Sequence, residues 1–235
     1  MLCCIYIIKM YVQFFMEQKR FVLVVLIGLC LMAFIVLYEN QPVEPVSNVT
    51  YVKRVAISFD DGPHLERTKL LLDGLKERGV KATFFLVGNR IEGNEDIILR
   101  MHEEGHMIGN HSYSHADLTK LSEKEALWEI NETNRIIEEI TGKKVEYIRP
   151  PCGFWNDTLE KEVGMTPVLW DVDPKDWCTA NAGVVVERVI ENVDDGDIIL
   201  FHDIYESSVV AALEVIDRLL DQGYVFVTVE ELMNE

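Results

Sequence analysis

Residues 54–62 read Arg-Val-Ala-Ile-Ser-Phe-Asp-Asp-Gly, an apolar run that ends in paired carboxylates and a glycine. Six further apolar runs follow, at 82–88, 107–111, 146–150, 167–172, 197–203 and 224–232. Helical patterns separate most of them. Over 65–78, Leu70, Leu71 and Leu75 share one face, and Gly79 supplies a stop. Over 122–140 the pattern opens on Ser122 and Glu125, the spacing of a capping box. Seven strand-like runs alternating with helices predict parallel strands joined by helical crossovers. Runs that are continuously apolar suit strands covered on both faces. The expected fold class is α/β, a distorted (β/α) barrel of about seven parallel strands, with an open doubly wound sheet as the alternative. No glycine-rich phosphate loop follows the first run, so nothing favours a nucleotide-binding fold.

Composition narrows the function classes. The chain has 235 residues, 49% hydrophobic and 26% charged, which is too apolar for general disorder. With 14 glycines and 7 prolines it is not collagen-like. A formal charge of -18 argues against a nucleic-acid partner, which needs a basic stripe to meet phosphates. Five cysteines are too few for a disulfide-built fold.

The amino-terminal part is unlike the rest. Residues 21–38 read FVLVVLIGLCLMAFIVLY without a charge. As a helix this run covers roughly 27 Å, close to the hydrocarbon thickness of a bilayer. Lys9, Lys19 and Arg20 precede it, while Glu39 and Glu44 follow. The positive-inside rule then predicts residues 1–20 in the cytoplasm, a single-pass anchor over 21–38, a linker over 39–52 and an extracytoplasmic domain over 53–235. An uncleaved anchor is preferred to a signal peptide, because the run is long and lacks small residues before a cut site. Leu29 is too large for Cys30 to read as a lipidation site. Met16 would be an ordinary start for such an anchor, with residues 1–15 as an extension. The linker carries two prolines. Setting aside three basic residues (9, 19, 20) and three acidic ones (17, 39, 44) leaves 19 against 37, so the domain carries the whole imbalance. That suits a neutral or cationic substrate, and equally a solvated acidic surface.

Polar clusters stand at the carboxyl ends of five runs, where parallel α/β folds place their sites. They are Ser58 to Gly62, His111 to His115, Arg149 to Gly153, Asp173 to Trp177 and Leu200 to Asp203. Two histidines four apart plus a carboxylate from another strand make three ligands with open positions, the pattern of a catalytic divalent site. Of the neighbouring Asp60 and Asp61, one can hold metal while the other takes a proton from water. Taken alone, Asp-Asp-Gly reads as a tight turn and the histidines as a surface pair. Five clusters at one end of five strands are hard to explain as surface decoration.

These residues resemble the motifs of the polysaccharide deacetylase family (the NodB-homology domain, carbohydrate esterase family four). Ser58 to Gly62 is similar to its TFDDG motif, and His111 to His115 matches its H-[ST]-x-x-H motif. Arg149 to Gly153, Asp173 to Trp177 and Leu200 to His202 resemble its third, fourth and fifth motifs. The likeness runs over about residues 53–233. It implies a metal-dependent hydrolase that removes N-acetyl groups from an amino-sugar glycan, with peptidoglycan expected. By the same resemblance Asp61, His111 and His115 hold a divalent metal, expected to be zinc. Asp60 is the base that activates water, and Arg149 orients it and favours its charged form. A backbone N–H of the third motif assists at the oxyanion. His202 is the acid that protonates the leaving amine, and Asp176 pairs with it. Trp177 and Leu200 wall a pocket for the acetyl methyl. One departure is Cys152, where the family often has an aromatic residue that walls the groove. Because Cys178 lies on the next catalytic loop, a Cys152–Cys178 disulfide is one expectation, with two separate small buried thiols as the alternative.

Other signals weigh less. His102-Glu-Glu-Gly-His106 matches a metalloprotease pattern, but that chemistry needs both histidines on one helix and Gly105 is expected to end it. His106 then reads as structural, and His64 as a loop residue. The expected partners are an acetylated glycan and, through the anchor, the cell membrane, with no nucleic acid and a monomeric chain. Two other functions remain open at this stage: an O-acetyl esterase on xylan or another glycan, and a catalytically silent glycan-binding domain.

Overall fold

The structure is a computed structural model in which residues 2–39 and 52–234 are described. The chain divides into two units, residues 1–50 and 51–235. The linker expected over 39–52 falls almost wholly outside the described residues.

The first unit is one uninterrupted helix, α1 (Leu2–Glu39). The stretch has no proline and a single glycine, Gly28, so nothing in it breaks the backbone ladder. The apolar run 21–38 therefore continues an existing helix instead of starting one at Phe21. Among the described residues, no helix is long and apolar enough to cross a membrane. The side chains at 21, 24, 25 and 35–38 are not among those described. The anchor expected over 21–38 thus falls partly outside the described residues.

The second unit alternates strands and helices: β1 (Arg54–Asp60), α2 (Arg67–Arg78), β2 (Thr83–Leu86), α3 (Glu95–Glu103), β3 (Met107–Asn110), α4 (Glu123–Thr141), β4 (Tyr147–Ile148), α5 (Asp157–Val163), β5 (Thr166–Pro167), α6 (Ala182–Ile190), β6 (Ile198–His202), α7 (Glu206–Asp221), β7 (Val225–Val227) and α8 (Val229–Met233). All seven strands pair in parallel, in the order β5-β4-β3-β2-β1-β6. β7 lies beside residues 54–56 of β1, while β2 pairs with 58–60. A parallel bridge from Val172 to Ile199 ties the chain after β5 to β6 and closes the ring. This is the expected distorted barrel.

Strand alternation sorts the core. Val55, Ile57 and Phe59 of β1 pack outward with Leu71, Leu75 and Val215 of the helices. Ala56 points inward and packs with Phe85, Met107, Val168 and Val229. The register then puts Ser58 and Asp60 one and two steps higher on the same inner face. The sequence signals for helix ends hold locally. Gly79 adopts φ 64° and closes α2, and Ser122 and Glu125 form a reciprocal capping box on α4.

Three runs differ from expectation. The runs 146–150 and 167–172 contribute only two-residue strands. Pro150, Pro151 and Pro167 lack the N–H that a longer ladder needs. The run 224–232 splits after Val227, because Thr228 and Glu231 form a capping box that starts α8. The backbone N–H of Val229 donates to Thr83 Oγ1 at 3.0 Å, seating α8 under the barrel.

Candidate active site

Consecutive residues of a strand face opposite ways. Asp60 and Asp61 nevertheless line one cavity, because Asp61 leaves the strand with φ 72°. A non-glycine residue holds that conformation only where its surroundings fix it. The Asp61 carbonyl accepts from Arg90 Nη1 at 2.5 Å, and the Gly62 carbonyl accepts from Val87 N at 3.0 Å. Asp61 Oδ1 is buried without a hydrogen-bond partner among the described residues.

His111 follows the end of β3. Its Nδ1 lies 2.6 Å from the Arg149 carbonyl, which can only accept, so Nδ1 carries the proton. The lone pair of Nε2 is then left to face Asp61 Oδ1, 3.7 Å away. His115 Nε2 lies 3.4 Å from the same oxygen. The three ligand atoms fall within 4.8 Å of one another. Burial pushes the His111 pKa down, against the raising charges of Asp60 and Asp61, which suits the neutral imidazole a ligand requires. An orphaned carboxylate oxygen with the Nε2 atoms of two imidazoles converging on it fits a divalent cation.

Arg149 is wholly buried inside the barrel. Its Nη1 donates to Asp60 Oδ1 at 2.9 Å and to Ser58 Oγ at 2.7 Å. Nη2 donates to the Leu169 carbonyl at 2.9 Å. The guanidinium lies over the Phe85 ring, 4.3 Å from its centroid. Gly109 leaves the space for that ring, since a Cβ there would fall 2.5 Å from Phe85 Cδ1. Ser58 Oγ in turn donates to the Ile199 carbonyl. Asp60 is thereby gripped through Oδ1, and its Oδ2 lies 3.7 Å from His111 Nε2.

His202 ends β6, facing Asp60 in the strand register. Asp176, in a 3-10 turn and nearly inaccessible, accepts from His202 Nδ1 at 2.8 Å and from the His202 backbone N–H at 2.8 Å. Burial would lower the His202 pKa. The Asp176 hydrogen bond and charge, with Asp60 and Asp61 behind it, outweigh burial and push it up to about 9.

The cavity at this end of the barrel has a volume of about 380 Å³. Asp60, Asp61, His111, His115, Cys152, Trp177, Leu200 and His202, all singled out in the sequence, line it. Arg149 and Asp176 stand behind it and hold Asp60 and His202. Trp170 and Asp173 also line it and had no assigned role. Trp170 is hidden in the run 167–172, which reads as buried strand, and no short-range signal marks it as a cavity residue. Larger cavities, of about 400 Å³ beside Arg188, 460 Å³ beside His106 and 520 Å³ beside Tyr205, are lined by none of the residues assigned a role in the chemistry.

The expected Cys152–Cys178 disulfide is not formed. Both thiols are free and exposed. Cys152 lines the cavity, whereas Cys178 turns its sulfur to the Lys175 carbonyl at 3.1 Å. The metalloprotease-like pattern is also broken up: Gly105, at φ 78°, separates His102 in α3 from His106 before β3. His106 Nδ1 accepts from the Ala82 N–H at 3.1 Å inside the core. His64 sits in the loop before α2 and does not line the site cavity.

At the carboxyl end of its parallel-stranded barrel the chain thus brings together an Asp-His-His trio, a gripped aspartate and an Asp-backed histidine. The chain belongs to the polysaccharide deacetylase family: residues 47–168 match the family model of that description. It is 46% identical over 194 residues to the peptidoglycan-N-acetylmuramic acid deacetylase PdaC of Bacillus subtilis, an alignment covering 83% of this chain and 40% of that protein. It is 37% identical over 207 residues to a peptidoglycan-N-acetylglucosamine deacetylase of Bacillus cereus, covering 83% of this chain and 97% of the relative. The solved structure of PdaC from Bacillus subtilis superposes with a TM-score of 0.76 at 47% identity, over 78% of this chain and 91% of that one. The chain thus spans about 40% of the full length of PdaC.

Proposed function

We propose that this protein hydrolyses N-acetyl groups of an amino-sugar glycan, with peptidoglycan as the substrate. The observation that carries the proposal is the convergence of a candidate base, a candidate acid and a cation-ligand trio on one cavity. The relatives named as peptidoglycan deacetylases support the choice of bond and polymer.

Asp61, His111 and His115 would hold a divalent cation, zinc being suited to this ligand set. When bound, such an ion supplies Lewis acidity beside the scissile acetyl group. The rest is done by the chain. Arg149 occupies Asp60 Oδ1 and so aims Oδ2 at the cavity, where it takes a proton from the attacking water. The water oxygen bonds to the acetyl carbon, and the C–N bond then breaks. His202, its Nδ1–H committed to Asp176, gives the proton on Nε2 to the departing amine. Cys152 lines the cavity, and its backbone N–H is the donor we assign to the oxyanion. Exposed Trp177 and buried Leu200 wall the space for the methyl group.

We further propose that residues 21–38 anchor the chain in the cell membrane with the barrel outside the cytoplasm. Support comes from the uncharged run and from basic residues before it and acidic ones after it. Protease accessibility of the barrel in intact cells tests this.

The activity is tested by incubating zinc-loaded protein with isolated peptidoglycan. Acetate release, with a product mass showing one amino sugar stripped of its acetyl group, supports the proposal. Acetate released only from acetylated xylan, or from no acetylated glycan, refutes it.

A further inference from the structure

His111 and His115 are held differently. The His111 ring is fixed through its Nδ1–H. Among the described residues, no hydrogen bond fixes the His115 ring, so its aim depends on edge-on packing against His111, centroids 4.8 Å apart, and on the backbone beneath it. That backbone is costly: Ser112 and His115 both adopt left-handed conformations, φ 60° and 61°.

Helix α4 supplies the restraint. Glu129, only 8% exposed, directs both carboxylate oxygens at Ser114, the residue before His115. Oε2 accepts from the Ser114 backbone N–H at 2.7 Å, and Oε1 accepts from Ser114 Oγ at 2.6 Å. One turn away, Asn110 Nδ2 donates to the Ile130 carbonyl at 2.9 Å and to Asn134 Oδ1 at 2.7 Å. Tyr113 packs edge-on against Trp128, centroids 5.0 Å apart. A buried carboxylate is expensive unless hydrogen-bonded, and among the described residues the Glu129 carboxylate is hydrogen-bonded only by the ligand loop.

We infer that Glu129 is the positioning residue of His115, holding that imidazole in ligating geometry through Ser114. The inference rests on the reading of Asp61, His111 and His115 as a cation site. Partners one step behind a ligand typically change metal affinity about 10–100-fold when lost.

The test is a cobalt(II) titration of wild type, Glu129→Ala, Glu129→Gln and Ser114→Ala, read by visible absorption and chelator competition. Glu129→Ala is expected to weaken cobalt binding about 10–100-fold and to alter the ligand-field bands. Glu129→Gln keeps one acceptor for the Ser114 N–H and should recover part of the affinity. Ser114→Ala, at an exposed position, removes only the hydroxyl bond and should fall between wild type and Glu129→Ala. Wild-type affinity and spectrum in Glu129→Ala overturn the inference. Should that variant not fold, an unchanged spectrum and affinity in both Glu129→Gln and Ser114→Ala overturn it instead. Absence of cobalt binding by wild type is a different failure, since it removes the cation site on which the inference rests.

Discussion

Asp60 and His202 are register partners on the neighbouring strands β1 and β6, and both side chains line the same cavity. In a parallel sheet, partnered residues project to the same face. The base and acid candidates are therefore held by two paired strands and not by loops. Their roles should separate from cation binding. Asp60→Asn is expected to reduce turnover on the order of a hundred- to ten-thousand-fold while zinc still binds. His111→Ala should instead lower zinc affinity itself. Equilibrium metal binding beside acetate release distinguishes the two, and wild-type turnover in Asp60→Asn would remove the base assignment.

The acid should set the alkaline limit. His202 must carry its proton to donate it, so activity is expected to fall as pH rises through about 9. Asp176→Asn removes the charge that raises this pKa and leaves the lowering effect of burial. The alkaline limb of kcat against pH should then move to lower pH. The same shift acts on stability. A histidine raised above 6.5 contributes fully below 6.5, and that contribution is lost as pH climbs through about 9. An alkaline limb that stays in place in Asp176→Asn would contradict the assignment.

Arg149 binds Asp60, Ser58 and two backbone carbonyls from inside the barrel. Replacing it by alanine strands a buried carboxylate and opens a void. A loss of about 3–5 kcal/mol in unfolding free energy is expected for the metal-free protein, measured by denaturant titration. A loss under about 1 kcal/mol would mean that the pair is not held as described.

His106 gives an acid-side signal remote from the chemistry. Burial, with Lys81 adding to it, pushes its pKa down to about 4. The unfolded chain binds a proton near pH 6.5 that the folded chain refuses. Stability should therefore be complete above 6.5 and decline as pH falls towards 4, by on the order of 2–3 kcal/mol. His106→Asn, which keeps an acceptor for the Ala82 N–H, should flatten that decline in thermal melts. An unchanged decline would place its cause in other groups.

The features that could be read in advance are local ones. The Asp60-Asp61-Gly62 turn, the His111/His115 spacing and the Ser122–Glu125 cap are each specified within a few residues, and each forms. Prolines at 150, 151 and 167 were equally visible, and they explain why β4 and β5 are so short. Closure through Val172 and Ile199, and the service of Glu129 to Ser114, depend on distant segments meeting. No short-range pattern encodes such meetings. The left-handed turn at Asp61 is intermediate: a neighbouring glycine hints at a turn, but only the bonds from Arg90 and Val87 hold the carboxylate inward. The thiols at 152 and 178 share adjacent catalytic loops yet face different ways, which spacing does not reveal.

The most direct test of the central claim is anomalous diffraction at the zinc edge from crystals of the zinc-loaded protein. One strong peak is expected within bonding distance of Asp61, His111 Nε2 and His115 Nε2, with Asp60 free of it. A peak at other residues, or no peak between those three, would contradict the account.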